Sequence, residues 1–318
     1  MLQVIAAYLL DLIIGDPRKI PHPVVIIGKG IDLMEKYLRR WLVPLFGLKA
    51  AGVVLTCVIV GLTYVIMWVI AAEAARINGW LGLAVSIWFI STTVAVKGLG
   101  DAAMDIYVLL RNGDIPEARR KVGWIVGRDT GRLNEAEITR ATVETVAENL
   151  TDGIIAPIFF AFIGGAPLAM AYKAVNTLDS MVGYKNEKYR ELGWASARFD
   201  DLCNYIPARL TGFMLLLTFV LLGKPVRPVL RVVVRDAPRH PSPNSGIPEA
   251  AVAGALGVRL GGINCYGGIE SFRAHMGDPL EDLGKEHILS TIRIMHITSG
   301  LTVLLGAVLI YFIRMGAL

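Results

Sequence analysis

Charge is scarce in this chain of 318 residues. Asp, Glu, Lys and Arg make up 19% of it, where a soluble domain has about a quarter, and 54% is hydrophobic, with a mean hydropathy of +0.54. The apolar excess falls in blocks, which excludes an ordinary soluble globule. Cysteine is sparse as well. Cys57, Cys203 and Cys265 lie far apart and form no C-x-x-C, so three free thiols are expected and no disulfide framework. The five histidines show no zinc spacing, and neither H-E-x-x-H nor G-x-x-x-x-G-K-[ST] occurs, which argues against zinc catalysis and P-loop chemistry. The N-terminus, "MLQVIAAYLLDLIIGDP", lacks the basic region and small-residue cleavage site of a signal peptide, and Asp11 interrupts it. It reads as a retained helix over residues 1–14, short for a full span.

What is present is a set of long apolar runs. A span needs about 20 apolar residues. Residues 50–72 and 77–96 qualify and are joined only by "EAAR", which predicts a helical hairpin; residues 294–313 form a third clear span. Trp41, Trp68 and Trp80 lie near span ends, where interfacial aromatics are expected. Residues 154–172 contain Pro157, Gly164, Gly165 and Pro167, and residues 210–223 form a short uncharged run. Proline and glycine at membrane depth are tolerated where the backbone is buried in protein or lines a cavity. The expected fold is therefore all-α: a polytopic integral membrane helical bundle with cytoplasmic helical and loop regions and one broken or re-entrant helix, one domain over residues 1–318.

The net charge of +5 and pI of about 9.1 do not indicate nucleic-acid binding, because Lys and Arg sit in loops between apolar runs rather than on one face. Residues 15–49, 97–153 and 224–293 carry seven, eight and nine of them. The positive-inside bias places these loops in the cytoplasm. Simple alternation would then put residues 173–209, with six Lys and Arg, outside. A re-entrant 154–172 removes the conflict, so 173–209 is expected on the cytoplasmic side.

The polar residues that could carry chemistry cluster at the ends of apolar runs. "NEAE" (Asn134 to Glu137) has the form of a capping box and predicts a helix from about Glu135 to Leu150; "DIPE" (Asp114 to Glu117) is a second such signal. On that first helix Glu144, Glu148 and Asp152 are four apart and share a face, with Asn149 beside them. Glu144 reads as part of a solvated acidic face paired with Arg140. Glu148 and Asp152, next to an apolar run, read as functional. After the run come Lys173, Asn176 and Asp179, three apart on one face. "RFDDLCNYIPARL" adds Arg198, Asp200, Asp201, Asn204 and Arg209, with Pro207 expected to break or kink the helix. Acids and amides are hard oxygen donors suited to Mg²⁺, and lysine and arginine hold phosphate oxygens. The pattern suggests Mg²⁺ and phosphate handling at a membrane surface, with Lys173, Arg198, Arg209 and Arg235 on phosphate. The bland alternative is a snorkelling lysine and solvated helix ends.

"RDAPRHPSPNSGIPEA" (Arg235 to Ala250) has four prolines and a glycine, which forbid regular structure, yet it carries Arg235, His240, Asn244 and Glu249. An ordered binding loop is the expectation. In "AGALGVRLGG" Gly257 and Gly261 are four apart, a spacing that suits close helix packing, and the order of a dinucleotide fingerprint is absent. Near the N-terminus "GDPRKIPHPVVIIG" offers Asp16 and His22.

Taken with "GWIVGRDT", "ETVAENLTDGIIAPIFF", "AYKAVNTLDSMVGYKNEKY", "GWASARFDDLCNYIPARLT" and "RDAPRHPSPNSGIPEAAVAGALGVRLGG", these stretches resemble the CbiB/CobD family of cobalamin biosynthesis, the adenosylcobinamide-phosphate synthases, in order and over most of the chain. The resemblance implies a multi-pass enzyme of the cell membrane with its active site facing the cytoplasm. Such enzymes use ATP and Mg²⁺ to join the corrinoid adenosylcobyric acid to (R)-1-amino-2-propanol or its O-phosphate through an amide. It implies that Glu148, Asn149, Asp152, Asn176, Asp179, Asp200, Asp201 and Asn204 serve Mg²⁺–ATP. Lys173, Lys185, Arg198, Arg209 and Arg235 would hold phosphates, and His240 or Glu249 would deprotonate the incoming ammonium. Arg128 and Asp129 of "GRDT" and Asn244 of the Arg235 loop would rim a corrin cleft, and Asp16 and His22 would be cofactor-binding residues. Asp152 and Lys173 are expected to be indispensable. Membrane lipids are implied partners, nucleic acid is not, and there is room for a homo-oligomer or for other membrane enzymes of late cobalamin assembly. The alternatives are a Mg²⁺-dependent prenyl or phosphoryl transferase of the membrane, a non-enzymatic AmpE-like sensor, or a transporter. On the main reading the glycine and proline interruption of 154–172 presents the polar ends of residues 145–180 to one site, which a straight helix of about 28 Å forbids.

Overall fold

The computed structural model describes residues 1–15, 22–184 and 186–316. Asp16 and Lys185, expected site residues, lie outside the described residues. The chain is almost entirely helical, and five stretches are long and apolar enough to cross a membrane: Val43–Ile77, Gly79–Arg111, Glu135–Val182, Trp194–Leu221 and Glu286–Arg314. It is a polytopic membrane helical protein. The contacts divide it into two compact units. One comprises Met1–Ala95, Ala156–Asn204 and Val303–Leu318; the other comprises Val96–Ile155 and Tyr205–Thr302.

The first unit holds α1 (Leu2–Ile14), α2 (Pro23–Trp41), α3 (Val43–Ile77), α4 (Gly79–Ser91), α8 (Ala156–Val182), the start of α9 (Trp194–Leu221) and the end of α12 (Glu286–Arg314). His22 caps α2, its Nδ1 accepting from Val24 N at 3.2 Å; that is a structural task for a residue expected to bind cofactor. The hairpin turn falls one step later than expected. "EAAR" continues α3 as helix, and Asn78 ends it and caps α4 by accepting from Trp80 N. Nothing in "EAAR" opposes helix, whereas an Asn side chain competes well for the next backbone N–H. The expected break after residue 154 is present: α8 is interrupted at Gly164 (φ −134, ψ 19) and Gly165 (φ 62, ψ −154).

The second unit holds α5 (Val96–Arg111), α6 (Ile115–Val122), α7 (Glu135–Asn149) and a π-helical turn, Leu150–Ile155. The rest of α9, α10 (Val226–Asp236), α11 (Gly246–Leu256), β1 (Leu260–Tyr266), β2 (Ile269–Met276) and the start of α12 complete it. Asn134 and Glu137 form the full capping box, with Asn134 Oδ1 accepting from Glu137 N at 2.9 Å and Glu137 Oε2 from Asn134 N at 2.8 Å. At α6 only half of it forms, because the Glu117 carboxylate turns to Arg120.

Three local expectations are corrected. Proline does not break α9: the helix runs from Trp194 through Pro207 to Leu221, and Thr211 Oγ1 donates to the Pro207 carbonyl at 2.9 Å. "RDAPRHPSPNSGIPEA" is not irregular throughout. Arg235 and Asp236 end α10, a 3₁₀ turn covers Ala237–Arg239, and Glu249 sits in the first turn of α11, because proline is compatible with first turns. Gly257 and Gly261 do not share a helix face. Gly257 (φ 68, ψ 27) terminates α11, and Gly261 (φ 81) belongs to β1.

The antiparallel β1–β2 hairpin is an addition to the expected helices. It turns at Gly267 and Gly268, both with positive φ, and carries a bulge between Leu260 and Gly262. Two glycines between two runs are a hairpin signal for this reason.

Candidate functional site

The bulge is where the site begins. A Cβ on Gly261 would lie 2.3 Å from the Ala274 carbonyl oxygen, so only glycine fits. With its backbone turned out of the strand, Gly261 N donates to Glu144 Oε1 at 2.8 Å. Glu144 is 5% exposed, and its Oε2 receives Arg128 Nη2 at 2.9 Å. It is therefore not on a solvated face, and its close partner is Arg128; Arg140 Nη1 lies 4.0 Å away. Arg140 instead donates to the Gly261 and Ile263 carbonyls and to Asn264 Oδ1, which Arg128 also reaches. The "GRDT" loop is fastened further along, with Asp129 N donating to the Cys265 carbonyl at 2.8 Å and Asp129 Oδ2 accepting from Gly268 N at 2.8 Å. The Gly268 bond holds the Asp129 carboxyl below the usual carboxylate range. Asp129 thus anchors the hairpin.

Above this lattice α7, the "GRDT" loop and the hairpin enclose a polar cavity of about 110 Å³. Its charged lining is Arg128, Glu144, Glu148 and Arg273, with Asn149, Thr145 and Tyr266 beside them. Arg128 and Glu144 satisfy one another. Glu148 and Arg273, both half-buried, make no hydrogen bond or ion pair among the described residues. Burial works against the Arg273 charge, but Tyr266, Glu148, Glu249 and Glu144 outweigh it and hold the guanidinium firmly protonated. Arg128 Nε is buried and lacks a hydrogen-bond partner among the described residues.

The proline-containing segment supplies the second part. His240 Nε2 lies 3.5 Å from Glu249 Oε1. Ser242 N donates to His240 Nδ1 at 3.0 Å, and Nε2 faces Glu249. Glu249 is 1% exposed. Burial pushes its proton affinity well above the carboxylate norm, and the charges of Glu148 and Glu144 push it further. Burial lowers the His240 pKa, opposed by Glu148. The pair is thus a poised proton acceptor in a dry setting beside the Glu148 carboxylate.

The other expected residues divide clearly. In the second unit Arg209 donates to Asn244 Oδ1 at 2.7 Å and stacks on Tyr205, 3.7 Å from the ring centroid. Arg235 is bidentate on Asp236 (2.8 and 2.7 Å) and reaches Asp278 at 2.9 Å, so its fork is committed to carboxylates rather than open to phosphate. Asp152 is half-buried in the π turn. In the first unit Asn204 is 1% exposed; Tyr172 OH donates to its Oδ1 at 2.8 Å, and its Nδ2 donates to Asp200 Oδ2 at 2.9 Å. Both ends of that amide are occupied, so Asn204 positions Asp200. Lys173, Asn176, Asp179 and Asp201 are half-buried there, and Arg198 is exposed. Among the described residues no three of His, Cys, Asp and Glu converge as a ready metal cage. Glu144, Arg140, Asn264, Tyr266 and Arg273 are the site residues that sequence reading missed. The Gly267–Gly268 turn was the signal for the last three.

Comparison with known proteins agrees with this distribution of motifs. Residues 4–295 match the family model described as CobD/Cbib protein. "Cobalamin biosynthesis protein CobD" of Geobacter metallireducens is 51% identical over 306 residues, 96% of this chain and 95% of that one. The CobD protein of Klebsiella pneumoniae and the CbiB protein of Salmonella typhimurium are each 49% identical over 299 residues, 94% of both chains. No solved structure matches. The chain belongs to the CobD/CbiB family of cobalamin biosynthesis proteins.

Proposed function

We propose that this protein is the amide-forming ligase of its family, joining the carboxylate of adenosylcobyric acid to 1-amino-2-propanol or its O-phosphate with ATP, at the cytoplasmic face of the cell membrane. The observation that carries this reading is the buried His240–Glu249 pair beside a cavity lined by Arg128, Glu148 and Arg273. A carboxylate does not acylate an amine at neutral pH, because oxide is too poor a leaving group. In the first step the carboxylate oxygen attacks the γ-phosphorus of ATP, giving an acyl phosphate and ADP. In the second, the amine nitrogen attacks the acyl carbon, the bond to the phosphate oxygen breaks and phosphate leaves. The amine enters as an ammonium and must lose a proton before it attacks. Glu249, with its raised proton affinity and His240 Nε2 3.5 Å away, is suited to take that proton.

Magnesium fits the donors present, though not as a closed cage. Asp179, Asp200 and Asp201 are hard oxygen donors, and this ion is commonly held by one or two carboxylates together with substrate phosphates. Bound there it would neutralise phosphate charge. Asn204 and Tyr172 keep the Asp200 carboxylate oriented. Lys173 and Arg198 would meet phosphate oxygens in that unit, and Asp152 is the acid of the π turn.

The test is reconstitution: purified protein in detergent with ATP, Mg²⁺, adenosylcobyric acid and aminopropanol phosphate. ATP-dependent amide product is expected. Turnover of an isoprenyl diphosphate with no amide would overturn the reading. Asp152→Asn and Lys173→Ala should each reduce turnover by about two orders of magnitude or more with the fold retained; near-normal rates would remove them from the site.

A further inference from the structure

The cavity under the "GRDT" loop is small and carries both signs of charge. Its volume, about 110 Å³, suits a small solute rather than a corrin. Two of its four charges, Arg128 and Glu144, are used up on each other, on Asn264 and on Gly261 N. The other two are not. Glu148 and Arg273 line the same space yet stand beyond ion-pair reach, and among the described residues neither has another side chain or backbone group to bond. Holding a carboxylate and a guanidinium half-buried and apart opposes folding, since each keeps its desolvation cost without the pairing that offsets it. A solute that bridges them supplies that pairing.

We infer that this cavity binds a small zwitterion, a primary ammonium a few bonds from an anionic group, with Glu148 taking the ammonium and Arg273 the anion. The inference rests on the function proposed above, in which that zwitterion is the phosphorylated amino alcohol. Asn149, Thr145 and Tyr266 add neutral polar groups to the lining. The two signs also select. A phosphate without an amine leaves Glu148 unpaired beside it, and an amine without an anion leaves Arg273 unpaired. Glu148 is close enough to the His240–Glu249 pair for its charge to act on both, so the nitrogen it holds lies within the field of the proposed proton acceptor. This assigns Glu148 to the ammonium rather than to a metal.

Binding can be measured without turnover, by calorimetry on the full chain in detergent with no ATP or corrinoid. The probes are 1-amino-2-propanol O-phosphate, its N-acetyl derivative, free 1-amino-2-propanol and inorganic phosphate. The wild-type protein should bind the zwitterion at least about tenfold more tightly than any of the other three. Glu148→Gln should abolish the preference over the N-acetyl compound, and Arg273→Ala the preference over the free amino alcohol. In turnover the KM for the amine should rise about ten- to a hundredfold in either variant, with the KM for ATP and for the corrinoid unchanged. Arg273→Lys, which retains charge and bulk, should recover part of the affinity and shows that loss in the alanine variant is not misfolding. Equal binding of the zwitterion and its N-acetyl derivative, or unaltered binding by Glu148→Gln, would overturn the inference. Selective binding without amide product would uphold the pocket and overturn the proposed reaction; amide product with unselective binding would do the reverse.

Discussion

Two polar clusters of similar composition behave oppositely. In the first unit Tyr172, Asn204 and Asp200 form a chain in which each member bonds the next at 2.8–2.9 Å. In the second, Glu148 and Arg273 face one cavity and bond nothing among the described residues. Both contain an acid, a donor and an aromatic hydroxyl, so composition does not distinguish them. Saturation does. A cluster bonded end to end holds its members in a fixed orientation, as Asn204 holds the Asp200 carboxylate. A cluster left open at a carboxylate and a guanidinium retains its capacity for something else.

The comparison can be broken most sharply at the proton acceptor. Glu249→Gln should cut amide formation by about 10²- to 10⁴-fold in single-turnover rate while ATP binding persists. A variant within a few-fold of wild type would show that the pair only packs. The pH dependence is the next test. Glu249 must be ionised to accept a proton, and burial together with Glu148 and Glu144 raises its proton affinity. The rate should therefore climb with pH, and climb above the ordinary carboxylate range. Removing the Glu148 charge by Glu148→Gln lowers that affinity, so the rising limb should move to lower pH; a fixed limb would separate the cavity from the pair. Third, Asp236 is 1% exposed and binds Arg235, Arg239 and Gly277 N. Asp236→Asn should lower stability by about 2–3 kcal/mol, read as a loss of Tm in detergent, with unaltered amine selectivity in whatever folds. Smallest is Tyr172→Phe, which removes one hydrogen bond from the closed chain. About 1 kcal/mol of stability and no change in amine KM are expected; a large amine-KM effect would place that chain among the binding residues.

Much of the fold was legible in the sequence, because its causes are local or compositional. Twenty-residue apolar runs, the Asn134–Glu137 capping box and the Gly164–Gly165 interruption all act within a few residues of themselves. The turn at Asn78 and the passage of α9 through Pro207 were misplaced by local rules that tertiary context overrides. The site was legible only in part. His240, Glu249, Glu148 and Arg128 stood out as polar residues in apolar or proline-rich settings. Arg273, Tyr266 and Asn264 did not, because they reach the cavity or its arginines on a hairpin that pairs with a loop and a helix more than a hundred residues earlier. Glu144 was misread for a related reason: its partner Gly261 N is 117 positions away, and no helical period reveals a backbone donor exposed by a bulge.

The segment between α10 and α11 has a consequence of its own. Its backbone is held at nearly every step: His240 N on the Ala237 carbonyl, Ser242 N on His240 Nδ1, Asn244 N on Ser242 Oγ and Ile247 N on the Asn244 carbonyl. Gly246 closes it so tightly that a Cβ there would lie 2.4 Å from the Ala237 oxygen. The conformational entropy of these residues is lost when the chain folds, not when a ligand arrives. Whatever meets His240 and Glu249 finds them already in place, and binding energy need not be diverted to ordering the loop.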